Sequence, residues 1–62
     1  MTKEQITSIH NLIDALSIEH SDILVKLEIA KIQGDKELTI SLATKVVIIH
    51  KKIINLLRVI YE

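Results

Sequence analysis

A chain of 62 residues with no Cys forms one domain at most, buries only about 60% of the surface its unfolded state exposes, and is denied both disulfides and thiolate metal sites as reinforcement. Its apolar residues make up 48% of the total, yet Tyr61 is the single aromatic, so the core must be built from Ile, Leu and Val. A formal charge of zero argues against a strongly basic nucleic-acid binder, and oligomerisation is left as the expected source of stability.

The opening Met1-Thr2-Lys3-Glu4-Gln5 runs into polar-interrupted sequence, which is not the pattern of a signal peptide. Thr2 and Gln5 stand at capping-box spacing, in which each side chain satisfies a backbone amide of the other's first-turn position, so helix 1 is expected to begin near Lys3. From there Ile6, Ile9, Ile13, Leu16, His20, Ile23, Leu27 and Ala30 recur at alternating spacings of three and four. That is an a/d seam, in heptad notation, in which His20 is the one polar residue. Ile18, Val25, Ile29 and Ile32 form a second stripe roughly opposite it, which reads either as a face partly covered by a second protomer or as an exposed patch for another protein.

The only Gly, Gly34, lies between Gln33 and Asp35. Gly accepts the left-handed conformation that ends a helix and Asp accepts bonds from the amides that begin one, so Gly34 marks the corner of a hairpin. Beyond it Leu42, Val46, Ile49, Ile53, Leu56 and Ile60 continue an a/d pattern. Ile40, Val47, Ile54 and Tyr61 add a stripe one position round from the a residues. An apolar arc this wide touches two neighbours, as in a bundle. The expected architecture is a single all-α domain over residues 1–62, with helix 1 over about 3–33, a turn at 34–35 and helix 2 over about 36–61. Two such antiparallel hairpins would form a homodimeric four-helix bundle.

A rival reading places a β-hairpin at 24–42 between two helices. Leu24 to Ile32 alternates in part, and Glu37 to Leu42 alternates cleanly across the short Gly-containing loop. Against it, both segments continue the helical phase of their flanks, and a lone two-stranded sheet buries little.

The Lys31-Ile32-Gln33-Gly34-Asp35 corner, the polar-capped first helix and the Ile/Leu-rich second helix resemble the small dimeric four-helix-bundle proteins of Sulfolobus spindle-shaped viruses, with the best local match at Leu27 to Asp35. A similar architecture occurs in the plasmid repressor-of-primer family. The resemblance implies a dimer of hairpins and an adaptor role in the cytoplasm of an archaeal host. For repressor-of-primer proteins it implies binding of paired RNA loops.

Chemistry-bearing residues are few. Asp14, Glu19, Asp22 and Glu28 are scattered among Lys26 and Lys31, and Ser8, Ser17, Ser21 and Ser41 lack the elbow context of a nucleophile, so no catalytic role or cofactor is expected. His20 and His50 fall near one level of the hairpin, where two-fold symmetry would gather four imidazoles; the commoner role of such residues is to fix register, and no metal site is assigned. Charge is divided between the halves: Lys3, Lys26 and Lys31 stand against Glu4 and the four acids just named, whereas Lys36, Lys45, Lys51, Lys52 and Arg58 stand against Asp35, Glu37 and Glu62.

Lys45, Lys51, Lys52 and Arg58, with Ser41, Thr44 and Asn55, are expected on the side of helix 2 away from its apolar arc, as a docking face for an acidic protein partner. The alternative, RNA or DNA, is served by the same charges but not by stacking aromatics. The expected dimer core is Ile6, Ile9, Ile13, Leu16, His20, Ile23, Leu27, Leu42, Val46, Ile49, Ile53, Leu56 and Ile60. No stretch approaches the roughly 20 apolar residues of a membrane span, so the chain is expected to be cytoplasmic.

Overall fold

The computed structural model describes residues 1–61 and contains two helices, α1 (Lys3–Gln33) and α2 (Lys36–Tyr61), packed against each other as an antiparallel hairpin. The start of α1 is fixed by two side chains, those of Thr2 and Gln5. Thr2 Oγ1 accepts the Gln5 amide at 3.2 Å while Gln5 Oε1 accepts the Thr2 amide at 2.9 Å, closing the capping box.

The corner is equally local in origin. Gly34 adopts φ 74°, ψ 20°, its amide donates to the Lys31 carbonyl and the Asp35 amide donates to the Ala30 carbonyl, both at 3.1 Å. These two bonds are the Schellman pair that satisfies the last free carbonyls of α1. Space is not what demands glycine here, because a Cβ at Gly34 would meet nothing within 4 Å; the left-handed φ does. One residue on, the Asp35 carboxylate accepts the Leu38 amide at 3.1 Å and begins α2.

The β-hairpin alternative over 24–42 is overturned. Leu24 to Ile32 lies inside α1 and Glu37 to Leu42 inside α2, and no strand occurs among the described residues. The unbroken helical phase wins because it buries one face along the whole hairpin, whereas an isolated two-stranded ribbon has no layer to cover it.

The two seams face each other. Ile23, Leu27, Ala30, Leu42 and Ile49 form the buried core, with Leu16, Ala43, Val46 and Ile53 packed against it. Ala30, 0% exposed, sits one turn before the corner, where only a small side chain lets the helices converge. Away from the corner burial falls, and Ile6, Ile9, Ile13, Leu56 and Ile60 are only half-buried. The result is a rod of 47 × 16 × 12 Å measured on Cα positions, and α1, with 31 residues to the 26 of α2, outreaches its neighbour by five.

Candidate functional site

Two helices make one contact, so a helix that is apolar on more than one flank must leave one of them uncovered. In α2 the uncovered flank is well defined. Ile40, Val47, Ile54 and Tyr61 are all exposed, Ile40 to 67% and Tyr61 to 76%. Ala43, His50 and Leu57 fall between them. The series 40, 43, 47, 50, 54, 57, 61 repeats the three-and-four spacing of the buried seam about 100° away round the helix. It runs about 31 Å along the rod. α2 therefore carries, beside its seam against α1, a second stripe that is open except at Ala43, which also packs against the core.

The stripe on α1 is open as well, with Ile18 72% and Ile32 84% exposed and Val25 and Ile29 between them. It lies on the back of α1, roughly opposite the core residues. Further exposed apolar residues, Leu12, Leu24, Leu38, Ile48 and Val59, belong to neither stripe. Sequence reasoning gave no role to these five, and also missed that Ala43, His50 and Leu57 complete the second α2 seam.

The basic residues are divided by the fold. Lys45 and Lys52 line a groove between the helices, together with Ile48 of α2 and Glu19, Asp22 and Lys26 of α1. Lys51 and Arg58 are exposed outside that groove, on the back of α2. Lys26 is also held by Asp22 at 3.0 Å within α1. The groove is thus lined by both signs of charge, and the field of Lys45 and Lys52 is offset by two carboxylates across it. It lies on the flank of the α2 core seam opposite the open apolar stripe, which is bordered near the corner by Lys31 and Lys36.

His20 and His50 come together across the hairpin, with ring centroids 6.1 Å apart and planes tilted by 38°. His20 belongs to the core seam of α1 and is half-buried, while His50 is exposed in the open seam of α2. Hydroxyl groups are engaged locally: Thr7, Thr39 and Thr44 each donate to the carbonyl one turn back. Among the described residues no helix is long and apolar enough to cross a membrane.

The exposed area puts a scale on what is uncovered. The chain presents 4843 Å² to solvent, where a compact monomer of 7.0 kDa would present about 4,000 Å². The excess, about 800 Å², equals what one partner contributes to a standard protein–protein interface. Compared with protein-family profiles, with curated proteins and with solved structures, the chain matches none.

Proposed function

We propose that the protein acts as a homodimer of hairpins, a four-helix bundle whose remaining faces dock other proteins, and that it is a non-enzymatic adaptor or small regulator. The observation that carries this reading is the second apolar stripe of α2, Ile40 to Tyr61, exposed except at Ala43, on a chain with about 800 Å² of surface beyond that of a compact monomer. A second copy fits it because the seam is close to self-complementary. Read backwards, its spacings still alternate four and three, so two antiparallel α2 helices interleave all seven layers about a two-fold axis. Ala43 and Leu57 come to matching depths, small against large.

With the α2 seam closed, the Ile18–Ile32 stripe remains on the back of α1, available to an apolar partner surface. Lys51 and Arg58, repeated by symmetry, supply a charged rim for an acidic one. Nucleic acid is served less well, because two of the four basic residues share their groove with Glu19 and Asp22 and no aromatic side chain accompanies them.

The adaptor reading is tested with the Ile18→Ser/Ile32→Ser double variant. It should retain the dimer mass of the unmodified protein and lose a partner that the unmodified protein captures from its native host. Retention of the same partner by the variant counts against the α1 stripe as the docking face.

A further inference from the structure

We infer that His20 and His50 are one half of a binding site for a first-row divalent cation of the zinc class, completed by the same two residues of a second copy. The inference rests on the dimer proposed above and adds a ligand to it.

Four observations meet at this point. The two imidazoles are already neighbours, at a centroid separation of 6.1 Å. Two imidazoles on one tetrahedral ion, with metal–nitrogen bonds of about 2.0–2.1 Å, hold their centroids on the order of 5 Å apart, within about 1 Å of the separation already present. Neither imidazole makes a hydrogen bond or ion pair to another described residue, which leaves ring nitrogens available. His50 is the only polar residue in the open seam and stands at its centre, with three apolar layers on either side. Antiparallel pairing about that centre brings the two His50 within about one helical turn of each other.

The chain alone is insufficient: among the described residues no group of three or more ligating side chains gathers in one protomer. Two histidines per chain doubled by a two-fold axis give four nitrogen donors, the number a closed tetrahedral site takes. Imidazole donors suit zinc, cobalt and nickel and disfavour calcium and magnesium. A polar residue at the centre of an otherwise apolar seam also weakens the dimer unless something satisfies it, and the ion supplies that satisfaction. Binding would tighten the assembly by mass action, since the ion binds the dimer and not the separate chains.

The experiment uses the full chain, stripped with a chelator, and the metals alone. Zinc is titrated by calorimetry, cobalt(II) by its visible absorption, and the mass is followed by sedimentation equilibrium. Expected are one ion per two chains, an intense tetrahedral cobalt spectrum, and a dimer whose dissociation midpoint falls at least tenfold when zinc is present. His50→Gln, exposed and so harmless to the hairpin, should abolish both spectrum and tightening, as should His20→Gln. His10→Gln, about 15 Å along α1 from His20, should change nothing. A chelator-stripped dimer that binds no zinc overturns the metal site and leaves the dimer standing. A helical chain that stays monomeric with and without zinc overturns both. Binding that survives His50→Gln overturns the assignment of these ligands.

Discussion

His20 and His50 lie across the hairpin from each other, 6.1 Å between ring centroids, one drawn from the seam that is closed and the other from the seam that is open. That pair is the point where the inside of the protomer meets its uncovered flank. The same geometry orders the molecule around it, with core residues between the helices, the exposed apolar stripe of α2 on one side and a groove of mixed charge on the other.

The open seam gives the most specific mutational prediction. Val47 and Ile54 are exposed and make no part of the core, so Val47→Asp/Ile54→Asp should weaken the dimer while leaving the hairpin helical at concentrations where the dimer still forms. Each side chain removed from an interface forfeits roughly 1.5–3 kcal/mol of burial, and the pair should raise the dissociation constant by at least about 100-fold. Sedimentation velocity across a dilution series reads this directly, with circular dichroism at high concentration as the check on folding.

Core positions should behave differently. Ile49 is buried and Ile53 packs against the core, so Ile49→Asp/Ile53→Asp places two carboxylates between the helices. The expected result is loss of helix as well as loss of the dimer, because a charge there has no partner. A variant that remains a helical monomer would show that the hairpin stands without either contact.

Gly34 is predicted to be intolerant for a reason of backbone alone. Its φ of 74° costs an L residue about 1 kcal/mol, and the space around it is open. Gly34→Ala should therefore lower stability by about 1 kcal/mol, Gly34→Asn by less, and neither should alter the dimer mass. Denaturant unfolding of the three proteins provides the comparison.

At the far end, Thr2→Ala removes the acceptor for the Gln5 amide and half of the capping box. The first turns of α1 extend past the end of α2 and carry little tertiary support, so the loss should appear as faster hydrogen exchange at the first-turn amides and scarcely at all in the global midpoint.

For nucleic acid, the mixed charge of the groove leads to a negative expectation. Short DNA and RNA duplexes should show no shift in a gel at moderate salt, and any binding at low salt should weaken with Lys51→Glu/Lys52→Glu. Binding at moderate salt that weakens as salt rises and is abolished by Lys51→Glu/Lys52→Glu would make the basic residues of α2 the principal site.

Much of the architecture was legible because its causes are local. Thr2 with Gln5, Gly34 and Asp35 each satisfy backbone groups within four residues, and the core seams announce themselves by spacing. The second seam of α2 was only half legible: Ile40, Val47, Ile54 and Tyr61 stood out as apolar, but their intervening partners Ala43, His50 and Leu57 include a small and a polar residue, and hydrophobicity alone passes over both. The division of the basic residues was not legible at all. Lys45 and Lys52 differ from Lys51 and Arg58 by about 100° round α2, and what Lys45 and Lys52 face, Glu19 and Asp22, is set by the register of α1 on the other side of the corner.

The central claim is that a second copy covers the Ile40–Tyr61 seam. Sedimentation equilibrium of the unmodified protein from low to high micromolar concentration measures this with least interpretation. A mass twice 7.0 kDa, falling to the single-chain value only together with loss of helix, is the result expected. A folded, fully helical monomer throughout that range would contradict it.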